Sequence, residues 1–451
     1  MNVKSGNAPY SGYYNRPVRE NDTELFQVGP GTKGGEYLRR FWHPFLLSSE
    51  LGDTPKLVKL LGEELVLFRD QSGRLGLLHK HCAHRGTSLE FGIPAERGIR
   101  CCYHGWLYDV DGTILETPAE PASSRIRDNF CQGAYPVKEL HGLIFAYLGP
   151  PELMPELPIY DSWTYPANSE FAPIKITYPC NWGQIVENLA DPIHNAYLHA
   201  IVSGQQFSPA FKVPPALDFV EAPLGFLSMA TRRVKDNVFI RASDLMMPNV
   251  GQVVAGANTA TNESFYLSSY LTRWVVPLDD HNSIYIGIVS LNAYTQGLYP
   301  KKKSDFGVDK MGIIGQTADR PYIDRQREPG DYDAVVTQGA IQNRANEHLG
   351  TTDRGVVAFR RLLAKGVADV AAGIQPAVPR IPKQNPVRTY CHELVFKLPS
   401  QSNIEGLEAI GEFGRRAAEI VIATDELPPA EREREAERRI RQLLVTDLVS
   451  P

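Results

Sequence analysis

The sequence predicts an α+β chain of two domains, a small antiparallel β domain followed by a larger one that mixes helix and sheet. Three features point there. From about 56 to 150 the chain runs in short apolar stretches divided by Gly and Asp, as in "KLVKLLGEELVLFRDQSGRLGLLH". "LYDVDGTIL" carries an Asp-Gly hairpin signal, and "GLIFAYLGP" reads as a buried strand ending at proline. The Pro-rich "PPELMPELPIYD" at 150–161 reads as a linker. Beyond it, helical patterns at 180–200 and after 334 enclose β-like alternation at 215–295. The division that results is a polar, loose arm at 1–34, a β domain at 35–155 and a mixed domain at 156–451.

In order, "EYLRRFWHPFLLSSEL" (36–51) reads as a short amphipathic helix running into a strand. "CNWGQIVENLADPIHNAYLHA" (180–200) reads as a helix with Gln184, Glu187, Asn188, Asp191 and His194 along one polar stripe. "AVVTQGAIQNRANEHLG" and "RGVVAFRRLLAKGVADVAAG" read as two more helices. The charged "EREREAERRIRQLL" reads as a solvated or subunit-facing helix.

A net charge of -5 gives no footprint for nucleic acid, and the one basic run, Lys301–Lys303, reads as a solvated loop. Six cysteines in 451 residues are no disulfide framework. The N-terminus lacks the apolar stretch of a secretory signal, and no run approaches a membrane span. No membrane is therefore expected, and the cytoplasm is the expected compartment.

"HCAHRGTSLEFGIPAERGIRCCYHGW" holds Cys82-x-His84 and, after a gap of 16 residues, Cys101-x-x-His104. Structural zinc loops usually pair like with like, whereas each loop here offers one thiolate and one imidazole. That mixture suits a Rieske 2Fe–2S cluster, one iron taking both cysteines and the other both histidines. Exchanging thiolates for neutral imidazoles raises the potential to about -150 to +300 mV, from about -400 mV. Gly86 and Gly105 fit tight loops around sulfur, and Trp106 is placed to shield one side. Cys102 reads as a small buried hydrophobe, and His79 and His81 as structural.

The second constellation is Asp191, His194 and His199 in "DPIHNAYLHA". In a regular helix His199 would lie roughly 140° round from His194. A widened π-type turn would bring both to one metal. An electron store needs something to reduce, and an open iron site with two His and one carboxylate leaves positions free for dioxygen. Asp331, Asp333, Glu347 and Asp353 are the candidates for the third ligand.

With both constellations in view, the chain resembles the oxygenase (α) component of the Rieske non-haem iron aromatic-ring oxygenases, phthalate-type group. The matching segments are "VGPGTKGGEYLRRFWHP", "RCCYHGWLYDVDG", "NWGQIVENLADPIHNAYLH" and "PGDYDAVVTQGAIQNRANEHLGTTDRGVVAFRRLL". The resemblance implies a Rieske β-sandwich followed by a helix-grip catalytic domain with an antiparallel sheet. It implies cluster ligands Cys82, His84, Cys101 and His104, and a mononuclear Fe(II) on His194, His199 and Asp331, with Asp333 second. Asp191 would link His194 to His104 of a neighbouring subunit in a homotrimer, and Asn188 would lie near the iron.

The same resemblance implies O2 and an aromatic substrate as reactants, with a flavin/iron–sulfur reductase or ferredoxin as electron donor. An aromatic acid is favoured, with hydroxylation or O-demethylation ahead of cis-dihydroxylation. Arg241 would either meet a substrate carboxylate or sit in a salt bridge. Two rival readings are a Rieske electron-transfer protein without oxygenase chemistry and a zinc-stabilised binding protein.

Overall fold

The computed structural model describes residues 9–14, 20–204, 206–377, 386–398 and 406–449. Three small antiparallel sheets make up the β-rich first part. Trp42–Leu47, Leu143–Tyr147 and Val137–Leu140 form one, and Lys56–Leu60, Glu63–Arg69, Leu75–His79 and Ala134–Tyr135 another. The third consists of the short strands Ile93–Pro94, Ile99–Arg100, Leu107–Tyr108 and Ile114–Glu116. It shares a separate core with Cys82 and Cys101, built on Val66, Phe68, Leu89, Trp106 and Tyr108. The Asp-Gly signal is a turn, with Gly112 at φ +87°. The Lys33–Leu38 helix, capped by the Thr32 hydroxyl, leads into the first strand as expected. Ahead of it, Phe26 and Val28 are buried in the main core.

The second part is a nine-stranded antiparallel sheet. Its path runs Glu170–Tyr178, Ser283–Leu291, Leu271–Pro277, Val250–Val253, Asn237–Met246, Gly225–Val234, Ala216–Ala222; His392–Lys397 branches from Asn237–Met246 and in turn pairs with Ser264–Tyr266. "SIYIGIVSL" is buried at every position because both faces of that strand are covered. Trp274 on the adjoining strand meets Phe145 of the first domain edge-on at 5.6 Å. The Trp182–Leu189 helix packs over the sheet near the site. It begins where the Asn181 side chain accepts from the Gly183 N–H at 3.0 Å and buries Trp182, Ile185 and Val186.

Three expected helices differ. The one read over 180–200 stops at Leu189, because Pro192 has no N–H to donate and pushes Asp191 out of the helical region. The polar stripe therefore ends near Asn188. The helix read from 334 onward is short, Asp331–Val336. Gly339 turns out of it at φ +100°, and the backbone beyond finds distant partners: Asn181 N–H donates to Ala340 O, and Gln342 N–H to the Gln184 side chain. Arg354–Ala371 is helical as read. The C-terminal helix, Pro429–Val449, is not merely solvated. Ala436 and Ile440 are fully buried with the Leu407–Ile422 helix in a second core.

His43 joins the two parts. Its Nε2 lies 2.8 Å from Leu38 O and its Nδ1 3.4 Å from the Asn249 amide. Burial pushes the imidazoles of His43 and His392 down to about 4. The unfolded chain, titrating near 6.5, binds these protons first, so stability present above that pH is lost as pH falls toward 4. Each histidine should steepen this loss by about 1.4 kcal/mol per pH unit. Thermal unfolding across that window should show a shallower slope in H392L than in the parent.

Candidate metal centres

Two turns of the same kind hold the first set. Gly86 N–H donates to Cys82 O at 2.8 Å, and Gly105 N–H donates to Cys101 O at 3.1 Å. Each loop leaves through a glycine in the left-handed region, φ +76° and +73°. Both thiols are buried, and the His84 and His104 rings meet at 4.5 Å. The Tyr103 and His104 amides point at the Cys101 sulfur, and the Tyr108 hydroxyl lies 2.9 Å from the Cys82 sulfur. Burial pushes the Cys101 thiol up, Cys82 beside it adding to the effect. Two buried thiols this close together would ionise only with a cation to share their charge.

His84 Nδ1 is buried with no protein partner. An orphaned imidazole nitrogen beside two buried thiols fits a mixed Cys/His cluster. Trp106 stacks on His84 at 4.5 Å and 5°, the shielding expected of it. Cys102 departs from expectation: it is exposed, since the turn that buries Cys101 points its neighbour outward. His81 holds Gly86 O at 2.8 Å, and His79 approaches Tyr135 and Glu63.

The second set comes from three segments. After the break at Pro192 the chain turns helical at His194–Ala196 and then runs as a π-helix, Tyr197–Val202. Ser203 N–H reaches back five residues to Leu198 O. The widened turn brings the His194 and His199 rings within 5.2 Å of each other. Asp331, first residue of its short helix, places Oδ1 3.5 Å from His194 Nε2 and 3.2 Å from His199 Nε2. Among the described residues these three are the one such group whose ligand atoms all lie within 4.8 Å of one another, close enough for a single ion.

Burial alone would push the Asp331 carboxyl up. His199, then His194 and the Gln316 amide, outweigh it and hold it well below the usual carboxylate range. Burial disfavours a charged His194, yet Asp191 and Asp331 raise its pKa on balance. Two imidazoles and an ionised carboxylate converging in a site closed on one side fit a divalent iron with open positions.

The remaining candidates are engaged elsewhere. Asp333 accepts from Arg325 at 2.6 Å, Arg320 at 3.2 Å and Gly330 N–H at 3.1 Å. Glu347 accepts from Arg360, and Asp353 from Gly350 N–H. Asn188 donates to Asp331 Oδ1 at 3.2 Å. Asp191 Oδ2 stands 3.6 Å from His194 Nδ1, and its Oδ1 accepts from Ile193 N–H. Glu187 is tied to Arg344 and Arg360, and Gln184 to Val335 O and Gly339 O. Arg241 forms the salt bridge, with Glu393 at 3.1 Å. Sequence reading missed Gln206, seven residues after His199, and Gln316 and Arg273, which stand far from either motif and become neighbours only on folding.

Residues 41–137 match the Rieske [2Fe-2S] domain. The chain is 39% identical to the tert-butanol monooxygenase / tert-amyl alcohol desaturase oxygenase subunit of Aquincola tertiaricarbonis, over 96% of each chain. It belongs to the Rieske non-haem iron oxygenases. The phthalate 4,5-dioxygenase oxygenase subunit of Pseudomonas putida is 30% identical over 78% of this chain and 87% of its own, consistent with the phthalate-type group. Pseudomonas putida CBB5 NdmA, solved as a variant with caffeine, shares the fold at TM-score 0.56 and 21% identity, over 76% of this chain and 94% of its own.

The oxygenase thus uses a Rieske cluster and a mononuclear iron, rather than carrying electrons alone. No helix among the described residues is long and apolar enough to cross a membrane. Metal analysis should separate the two acids at the short helix. D331N should lose most mononuclear iron while keeping the cluster, whereas D333N should retain iron and lose thermal stability as Arg320 and Arg325 are left unpaired.

Proposed function

We propose that this oxygenase hydroxylates or O-demethylates an aromatic acid in the cytoplasm, drawing electrons from a separate flavin/iron–sulfur reductase or ferredoxin. Cys82, His84, Cys101 and His104 hold the cluster; His194, His199 and Asp331 hold the iron. When bound, the cluster supplies single electrons and the iron supplies activation of dioxygen. Asn188 donates an amide N–H to Asp331 Oδ1, the oxygen that faces both imidazoles, and Gln316 donates one to Oδ2, so both oxygens are held in place. Asp191, 23% exposed in its side chain, orients His194 from the outer side. From there it can meet His104 of a neighbouring subunit in a head-to-tail trimer.

The substrate class rests on Arg273. The cavity beside Asp331 is walled by Ile185, Leu189, Val253, Leu271, Val289 and Ile313, and has about 690 Å³ of atom-free space, open mouth included. That suits a substituted ring. Arg273 projects from the sheet between Gly251 and Gly287, its partners on the two flanking strands. A Cβ on Gly251 would come within 3.2 Å of Arg273 Nε, so the glycine leaves the guanidinium its space. Arg273 donates to the Tyr285 hydroxyl at 2.7 Å, and its Nε has no partner. Arg241, the other cation of the wall, already has Glu393. A guanidinium with no acid beside it among the described residues, held by one tyrosine hydroxyl at the wall of this cavity, suits a carboxylate.

Oxygen uptake with reductase and NADH tests this across phthalates, methoxybenzoates and biphenyl acids, with tert-butanol alongside because a relative is named for it. Turnover of an aromatic acid is expected, and R273L should raise its KM about 10- to 150-fold with a smaller effect on kcat. Turnover confined to the uncharged alcohol, unaffected by R273L, would overturn the substrate class. D191A should keep both metals yet lose about 10- to 100-fold in turnover, seen as slow reoxidation of the reduced cluster in single-turnover mixing.

A further inference from the structure

We propose that Gln206 is a positioning residue for the mononuclear iron, holding His199 in the tautomer that presents Nε2 and tying it to the Asp331 segment. The inference rests on the reading that His199 and Asp331 hold that iron. Gln206 stands just past the π-helix, where the chain folds back on itself. Its Nε2 donates to Pro329 O at 3.1 Å, an oxygen that also accepts from Ser203 Oγ at 2.6 Å. A backbone carbonyl can only accept, so the amide nitrogen belongs on that side. Gln206 Oε1 therefore faces His199 Nδ1, at 2.5 Å. An amide oxygen also only accepts, so Nδ1 carries the ring proton. In the neutral ring that binds a metal, the lone pair is then on Nε2, the nitrogen 3.2 Å from Asp331 Oδ1.

One side chain thus spans two ligand-bearing segments, since Pro329 is two residues ahead of Asp331. The next residue secures the ring's face. Phe207 stacks on His199 at 4.4 Å and 27°, and its N–H donates to His199 O at 3.2 Å. Gly256 admits the Phe207 ring, for a Cβ there would meet it at 2.5 Å. Edge and face of His199 are both held, so the imidazole needs little reordering to take a metal.

The test is Fe(II) retention under a timed chelator challenge of the holoenzyme, with cluster absorbance read in the same sample. Nitric oxide added to the Fe(II) enzyme reports ligand geometry by electron paramagnetic resonance. Q206L should bind mononuclear iron about 10- to 100-fold more weakly, with cluster absorbance unchanged and an altered nitric oxide spectrum. Q206E, which keeps an acceptor for Nδ1–H, should recover much of that loss; Q206N, too short to reach both partners, should not. Q206L retaining iron like the parent, with the parent's spectrum, overturns the proposal. If Q206L does not fold, equal retention by Q206E and Q206N overturns it. H199A separates the two claims, because iron held normally in that variant would sink the ligand assignment itself.

Discussion

The catalytic half of this oxygenase depends on keeping one carboxylate ionised where little water reaches it. Asp331 cannot hold its charge in a buried site without compensation, since desolvation of an ion costs several kcal/mol. Two imidazoles and two side-chain amides supply that compensation. Each arrives from a different segment. The helix broken at Pro192, the widened turn after it and the close crossing of Gly315 with Gly330 all serve to bring those segments together. The same demand makes the place receptive to a divalent cation, which would take over most of the charge balance.

The two centres are built by opposite strategies. The cluster loops are local: two similar turns, each closed by its own backbone and let out by its own glycine, present one thiol and one imidazole apiece. Their motif spans 23 residues and is complete in itself. The proposed iron site is assembled across more than a hundred residues of chain, and the side chains around it touch its three candidate ligands. Asn188, Gln206 and Gln316 are neutral amides, able to orient an imidazole or carboxylate without adding charge.

The two arginines of the cavity wall show how context divides one residue type into two roles. Arg241 lies within a buried network with Glu393, Asn258 and Tyr294, and its guanidinium sits over Phe207 and Phe211. It braces the wall that in turn holds His199. Arg273, at a register position flanked by glycines, hydrogen-bonds among the described residues to the Tyr285 hydroxyl and has no acid beside it. Both read alike in the sequence, as an arginine in a β-like stretch.

The family and the α+β class were readable in the sequence because both show in local spacing: ligand-type intervals, turn residues and apolar alternation act within a few residues. The awkward five-residue step from His194 to His199 even foretold the π-turn, since only a widened helix brings those rings together. Among Asp331, Asp333, Glu347 and Asp353, the residues alone left the choice open. In the fold Asp331 lies beside the two imidazoles, while Asp333 and Glu347 are held by arginines and Asp353 by a backbone N–H. The helix expected beyond Val336, the exposure of Cys102 and the buried side of the C-terminal helix were likewise settled by long-range partners. So were Gln206, Gln316 and Arg273, because hydrogen bonds and cross-strand neighbours between distant segments do not exist until the chain has packed.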